Sequence, residues 1–202
     1  QGGSCLKPFV GPFADGPSDA SIVLPIEFEK EGVGIVISNG IAPRYSDIDA
    51  YKMGSYAIME AVSNQVAVGA DPTHIAILDN FCWPVPVHDP YKLAQLVRAC
   101  RALYDGATAL HLPIISGKDS MKNDYQMNGV KISVPPTLLI TAIGKIPDVK
   151  KAVSMDVKKG GDLIYVVGWT RNEMGGSEYH AMKKVQGGIA PHIDFGFARE
   201  LL

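Results

Sequence analysis

The apolar residues of the chain alternate between short β-type runs and two long stretches of helical period. Residues 21–26 and 33–38 are β-type runs on either side of a polar stretch, which predicts a hairpin or two adjacent strands. Between residues 49 and 69 the apolar residues recur every three to five positions, and Pro72 closes the segment. This spacing predicts the first long helix.

A second helix is predicted over residues 89–111, because its apolar residues fall on one stripe. Asp89 has the side chain of an N-cap, and Pro90 stands at the first helical position. The stripe consists of Leu93, Leu96, Val97, Cys100, Leu103, Tyr104 and Ala107.

The remaining apolar runs predict four further strands, at residues 75–81, 112–115, 137–143 and 163–168. Strands that alternate with long helices are typical of an α/β sandwich, and we expect that fold class. A lysine- and glycine-rich stretch changes the composition at 150–161, so we place a domain boundary near residue 160. The part after it holds a strand, the loop 172–177 and two short helices, too little for a core of its own.

Composition narrows the class of protein. The 202 residues hold 19 Lys and Arg against 21 Asp and Glu, which excludes the broad basic surface of a nucleic-acid-binding protein. No apolar run approaches the ~20 residues of a membrane helix. Because of the charge balance and the short apolar runs, we expect neither nucleic acid nor a membrane as partner. Three scattered cysteines, at positions 5, 82 and 100, favour a reducing compartment, and we expect a cytoplasmic protein.

The two ends of the chain are unusual. The sequence begins at Gln1 without a Met, shows no secretory signal, and ends at Leu202 inside a stretch of helical pattern. We therefore expect a piece of a larger protein.

Glu60 and Asn64 are the first candidates for chemistry. Residues four apart share one face of a helix, so both side-chain oxygens can reach one ion. Mg²⁺ prefers hard oxygen ligands and takes only one or two carboxylates from a protein beside substrate phosphates. The alternative is an ordinary solvated helix face.

Two loops are candidates for binding a metal or a phosphate. Asp19 lies in the acidic turn 15–20 at the entrance of a strand, where a carboxylate can hold a metal, although Asp, Gly, Pro and Ser are also the commonest turn residues. The stretch 116–120, Ser-Gly-Lys-Asp-Ser, follows a strand and offers a glycine, a lysine and hydroxyls to a phosphate. It lacks the spacing of a P-loop.

The histidines and cysteines indicate no reactive centre. The five histidines lack the spacing of metal ligands. We interpret Cys82, beside Trp83, and Cys100, in the helix stripe, as packing residues. No Gly-x-Ser-x-Gly motif occurs, so nucleophilic catalysis has no support.

Five sequence motifs occur in an order that is typical of one family. They are VSNQVAVGADP, LDNFCWP, ISGKDSMKND, PPTLLITAIG and DLIYVVGWTRNEMGGSEY, at residues 62–72, 78–84, 115–124, 135–144 and 162–179. Through them the chain resembles the later part of the phosphoribosylformylglycinamidine synthase (PurL) family of purine biosynthesis, over essentially its whole length. ISGKDS and GGSEY are specific in that context.

The resemblance implies a domain organisation. In the family, two homologous halves each pair an A-type with a B-type domain, as in aminoimidazole ribonucleotide synthetase. Residues 1–20 are then a linker and metal-site loop, 21–158 the second A-type domain, and 159–202 the truncated start of the second B-type domain. The implied A-type (PurM-like) fold is a mixed β-sheet with helices on one side, facing the partner half.

The resemblance also implies an activity. The family is an ATP-dependent ligase that converts formylglycinamide ribonucleotide, ATP and glutamine-derived ammonia to the amidine, with Mg²⁺ and ATP or ADP bound. Implied partners are the remaining PurL domains, a glutaminase and a small accessory subunit or domain. A homodimer of this piece is a further expectation.

Seven site residues follow from the resemblance. The family's metal ligands in this half fall on Asp19, Glu60 and Asn64, and a fourth ligand would lie beyond Leu202. The implied nucleotide contacts are Ser18, Lys118, Asp119 and Ser120.

One departure from the family bears on the role of these residues. The family's first half has a Ser-His-Asn-His-Pro stretch where this chain reads Ser38-Asn39-Gly40-Ile41-Ala42-Pro43, without either histidine. We expect an auxiliary Mg-nucleotide site and no catalytic side chain. Two alternatives stay open: a structural module that binds no ligand, and another enzyme of the superfamily, such as selenophosphate synthetase or thiamine monophosphate kinase.

Overall fold

A mixed six-stranded sheet with two long helices on one face forms the centre of the protein, described by a computed structural model over residues 3–202. The strands are β1 (Ser4–Leu6), β2 (Phe9–Val10), β3 (Gly16–Pro17), β4 (Ser21–Val23), β5 (Gly34–Ile41), β6 (Ile75–Cys82), β7 (Ile114–Ser120), β8 (Asp124–Met127), β9 (Val130–Ser133) and β10 (Thr137–Ile146). The helices are α1 (Ala50–Ala67), α2 (Pro90–Ala109), α3 (Glu178–Met182) and α4 (Phe195–Leu201).

The strand order in the sheet is β1-β4-β5-β10-β6-β7, and β2-β3 and β8-β9 form two separate hairpins. All neighbours in the sheet are antiparallel except β6 and β7, which run parallel because α2 supplies the crossover between them. The predicted pairing of the first two β-type runs is confirmed, since β4 pairs with β5 from Ser21 opposite Ile37 to Val23 opposite Ile35. The expected mixed α/β fold is confirmed.

Both long helices begin at acidic N-caps. The Asp49 carboxylate accepts hydrogen bonds from the backbone N–H of Tyr51 (2.8 Å) and Lys52 (3.3 Å). The Asp89 carboxylate accepts one from the N–H of Lys92 at 3.1 Å, and Pro90 follows it as predicted. These bonds satisfy N–H groups that have no partner inside the helix.

Helix α1 lies unusually close to the sheet, and glycines permit it. A Cβ at Gly40 on β5 would overlap the Ala57 carbonyl oxygen and lie 2.7 Å from the Ala61 nitrogen. A Cβ at Gly144 on β10 would overlap the side-chain oxygen of Gln65. The helix backbone therefore rests directly on the strand backbone, where a larger residue would hold it away.

A buried polar network fastens α1 at this contact. The Gln65 amide donates to the carbonyls of Val36 (3.2 Å) and Ala142 (2.9 Å) and to the Ser38 hydroxyl (3.0 Å). The Ser38 hydroxyl in turn donates to the Ala61 carbonyl at 2.7 Å. The network joins α1 to β5 and β10 with directional bonds, which specify one register between helix and sheet.

The main core lies between the helices and the sheet. Its fully buried members include Met53, Ile58, Ile77, Leu138 and Ile140, and Trp83 closes one end. A smaller cluster at the other end contains Ala20, Ile22, Val36, Val68, Ala70 and Ile146.

The last fourteen residues pack on this core. A Cβ at Gly106 of α2 would lie 2.9 Å from the ring of Phe195, so the glycine makes room for that ring. Phe195 is 8% exposed, and the Lys52 ammonium donates to the Ala190 carbonyl at 2.6 Å.

Three predictions about local structure are wrong. Residues 116–120 continue β7 rather than forming a loop, because the backbone of β6 pairs with them up to Ser120. The apolar run at 163–168 is not a strand: no strand within residues 3–202 pairs with it, and its large side chains are 73–83% exposed. The apolar stripe predicted for α2 is not the buried face of the helix: four of its seven residues, including Cys100, are exposed. The helix buries its small residues Ala99, Ala102 and Gly106 instead.

No helix within residues 3–202 combines the length and the apolar character needed to cross a membrane.

Gly40→Ala should lower the free energy of unfolding by about 3 kcal/mol, because the added methyl group meets helix backbone that cannot move aside. Urea unfolding followed by circular dichroism measures this. The matched control is Gly160→Ala, since no atom lies within 4 Å of a Cβ there. Equal stability of the two variants would contradict the close contact.

Candidate functional site

Glu60 and Asn64 lie one turn apart on α1 and both reach the end of β5. The Ile41 N–H donates to Glu60 Oε2 at 2.7 Å, and the Asn64 amide donates to the Asn39 carbonyl at 3.1 Å. These strand groups are available because β4 stops pairing with β5 at Ile37. Glu60 Oε1 and Asn64 Oδ1 make no hydrogen bond to any residue in the described range.

Asp19 approaches the same end of β5. Ser21, the first residue of β4, pairs with Ile37 of β5, and Asp19 lies two residues before it in the turn that leads into β4. Ser18 precedes it, and its hydroxyl donates to the Ala20 carbonyl at 2.8 Å, which closes the turn into β4. The structure thus brings Glu60 and Asn64 together at the end of β5, and it places Ser18 and Asp19 in the turn before the neighbouring strand β4.

The oxygen atoms at this end suit a hard cation. Within residues 3–202 no group of three His, Cys, Asp or Glu side chains is close enough to hold a metal. Two carboxylates and an amide oxygen are a donor set that fits Mg²⁺, which completes its shell with water and substrate phosphate. By their donor chemistry, the side chains of Asp19, Glu60 and Asn64 therefore fit a magnesium ion.

Two tyrosines next to Glu60 were not found from the sequence. The rings of Tyr45 and Tyr56 meet edge to face, with centroids 4.9 Å apart. Burial, then Tyr56 and Glu60, raises the pKa of Tyr45 to about 12, and burial and Glu60 raise the pKa of Tyr56. Both phenols thus stay protonated beside the carboxylate. Their spacing along the chain carries no signal, because Tyr45 comes from a 3-10 turn before α1.

Lys118, Asp119 and Ser120 lie elsewhere, on the edge strand β7. The Lys118 ammonium donates to the Ser120 hydroxyl on one face of the sheet, whereas Asp119 points to the opposite face because side chains alternate along a strand. Strand β7 is three strand spacings from β5, about 14 Å. One phosphate group cannot contact both sets of predicted residues.

Asp79 is a third residue that sequence reasoning missed. It lies on β6 between Ile77 and Phe81, on the face that the helices cover, and Gly117 opposite it leaves room for the carboxylate. Burial raises its pKa, and the nearby charge of Asp119 adds to the shift. An acid within an otherwise apolar strand was the available signal.

A comparison with known families identifies the fold. The model of the family described as AIR synthase related protein, N-terminal domain, matches residues 18–146. The chain belongs to this family. The match begins at Ser18 and includes Asp19, Glu60 and Asn64, so the candidate cation site lies within the family domain.

Curated relatives confirm the resemblance to PurL. The chain is 33% identical over 190 residues to phosphoribosylformylglycinamidine synthase subunit PurL of Pyrobaculum neutrophilum. The aligned region covers 93% of this chain and 26% of the relative. The chain is 33% identical over 181 residues to the PurL subunit of Methanocaldococcus jannaschii, covering 88% and 24%. The chain thus spans about a quarter of the length of these relatives.

Solved structures share the fold. Thermotoga maritima PurL complexed with ADP superimposes with a TM-score of 0.57 at 23% identity, covering 75% of this chain and 22% of that one. The same protein complexed with ATP gives a TM-score of 0.54 at 25% identity, covering 72% and 22%.

Asp79→Asn should stabilise the protein at neutral pH. Because the pKa of Asp79 is raised in the folded state, its charged form opposes folding at pH 7, and this cost disappears as the pH falls below the ordinary value of 3.8. After allowance for solvent screening, we expect Tm to rise by about 1–2 °C at pH 7 and to be unchanged at pH 3. Scanning calorimetry measures both, with the exposed Asp15→Asn as control. A similar rise at pH 3 would refute the electrostatic cause.

Proposed function

We propose that the chain is part of a phosphoribosylformylglycinamidine synthase, an ATP-dependent ligase of purine biosynthesis in the cytoplasm. The support is a 33% identity to PurL subunits along 93% of the chain. Because the chain spans only about a quarter of those subunits, it contributes one part of the activity. We propose that the remaining PurL domains, a glutaminase and a small accessory subunit supply the rest, in line with the Thermotoga maritima assembly described as PurLQS.

We further propose that this part holds an auxiliary Mg-nucleotide on Asp19, Glu60 and Asn64. Glu60 and Asn64 are each anchored to β5 by one polar atom, a carboxylate oxygen of Glu60 and the amide nitrogen of Asn64. This observation carries the proposal, because it leaves the second oxygen of Glu60 and the side-chain oxygen of Asn64 for an ion. Magnesium would neutralise phosphate charge there. The chain's own residues orient these oxygens, and Ser18 lies next to them for contact with the nucleotide.

Lys118, Asp119 and Ser120 form a separate part of this proposal. Lys118 and Ser120 face the side of the sheet that the helices leave open, and both are polar donors suited to a phosphate or a sugar. Since β7 lies about 14 Å from β5, they would contact a different part of the nucleotide from the phosphate that binds magnesium.

Glu60→Gln should weaken binding of Mg-ADP by at least about tenfold, because it removes the charge while keeping an acceptor for the Ile41 N–H. Isothermal titration of the 202-residue chain with Mg²⁺ and ADP or ATP measures the change. The control Glu31→Gln changes an exposed carboxylate just before the start of β5, at the opposite end of the strand from Ile41, and should leave the affinity intact.

Undiminished binding after Glu60→Ala and Asn64→Ala together would refute the ligand assignment. If no nucleotide raises the melting temperature of the parent chain, the chain is instead a structural module, since a bound ligand must stabilise the folded state.

The open face of the sheet supports a face-to-face partner. Ile35, Ile37 and Ile41 of β5 point away from the helices and are 38–46% exposed, and Val23 of β4 continues the apolar surface. Exposed apolar residues on a sheet face are typical of a protein interface. We propose that the other half of the synthase covers it, and that a second copy does so in the isolated chain.

Ile37→Lys should shift the isolated chain from dimer to monomer, because it places a charge at the centre of the open face. Light scattering over a range of concentrations measures the mass. Val157→Lys, at a 68% exposed position outside the sheet, is the control. A parent chain that is monomeric at every concentration would contradict the homodimer.

A further inference from the structure

Strand β7 forms one edge of the sheet, and the outer side of this edge is uncovered. Within residues 3–202 its single neighbour in the sheet is β6, and six of its seven residues are exposed. The Ser120 carbonyl accepts a hydrogen bond from the Trp83 N–H at 2.7 Å, on the side of β6. Because backbone groups alternate along a strand, those of Gly117 and Asp119 point to the uncovered side. Such a row of free N–H and C=O groups is a template for an added strand.

One exposed side of α2 lies beside this edge. Cys100 and Tyr104 are four residues apart, so they share a side of the helix, and both are exposed. Burial, and then the charges of Asp119 and Asp79, raise the pKa of the Cys100 thiol, so Cys100 lies near both carboxylates. Tyr104 and Ile114, the first residue of β7, line one groove of about 520 Å³. A strand added to β7 therefore brings one of its faces against this side of α2.

Two carboxylates in the same place lack a positive partner. Asp119 projects from β7 toward the helices, and Asp79 extends over Gly117, where a Cβ would lie 2.7 Å from its Oδ1. None of the ion pairs within residues 3–202 includes either carboxylate. The charge of Asp119 adds to the raised pKa of Asp79, so the two carboxylates repel each other. A cation on an added strand would relieve this repulsion.

We propose that β7 accepts an extended strand of a partner protein, and that this strand presents a lysine or arginine between apolar side chains on its helix-facing side. Its main chain pairs with the free groups of Gly117 and Asp119. Its apolar residues cover the exposed side of α2, and its cation lies beside Asp79 and Asp119. The side chains of Lys118 and Ser120 stay free, because they point to the open face of the sheet.

Charge selects this occupant over a second copy of the chain. Two β7 edges paired with each other would bring together the Asp79 and Asp119 carboxylates of both copies, and neither β6 nor β7 has a cation on that face. The edge is also separate from the proposed magnesium ligands, so the proposal does not depend on the function proposed for them.

Two synthetic peptides test the edge on the 202-residue chain. In VTVTKTVTV the valines and the lysine share one face of the strand, and VTVTETVTV differs only by a glutamate at the centre. We expect the lysine peptide to slow hydrogen exchange at the Gly117 and Asp119 N–H groups, followed by NMR, and to bind at least about tenfold more tightly. Equal affinity of the two peptides would overturn the proposal, and so would equal protection at β1, the other edge of the sheet.

Asp119→Asn separates the charge from the shape of the edge. Residue 119 is exposed, so the variant should fold, and it should bind the lysine peptide at least about tenfold more weakly while its affinity for the glutamate peptide holds or rises. Asp15→Asn, which changes an exposed carboxylate outside the six-stranded sheet, should alter neither affinity more than about twofold.

If Asp119→Asn weakens both peptides alike, the carboxylate only supports the shape of the edge and the proposal is wrong. Protection of the same N–H groups in the free chain that rises with its concentration would show that a second copy covers the edge, which also overturns the proposal.

Discussion

The direct contact between the backbone of α1 and the sheet is the constraint on which the rest of the structure depends. It exists because Gly40 and Gly144 have no side chain at the crossing point. The Gln65 amide, bonded to both β5 and β10, then specifies one position of the helix along the strands. Apolar packing alone would tolerate a shift of the helix, whereas a buried amide whose two N–H groups face acceptors on β5 and β10 does not.

The candidate cation site is a consequence of this contact. Glu60 and Asn64 follow Ala57 and Ala61 on the sheet-facing side of α1, so the close approach brings their side chains to the backbone of β5. A helix held farther away by a methyl group at residue 40 would lose both hydrogen bonds. Stability and the position of the oxygen ligands therefore have the same physical origin.

The C-terminal part of the chain is fastened by similar means. Phe195 inserts its ring against Gly106, and the Lys52 ammonium holds the Ala190 carbonyl, so the loops before α4 are tied to both long helices. Tyr45 packs edge to face on Tyr56, and a Cβ at Gly176 would overlap its ring, so the turn before α1 also contacts these loops.

The sequence by itself determined the two long helices, the Asp89 cap of the second and the pairing of Glu60 with Asn64, because capping and i,i+4 spacing are local properties of a helix. It did not determine the continuation of β7 through residues 116–120, the exposure of residues 163–168, or the surroundings of Asp79. Those depend on whether a distant strand or helix lies alongside: β6 makes a strand of a polar Ser-Gly-Lys-Asp-Ser stretch, and no strand pairs with the apolar run. Strand pairing and burial override the local propensity of a segment. Both depend on residues that are distant in the sequence, so only the folded structure shows them.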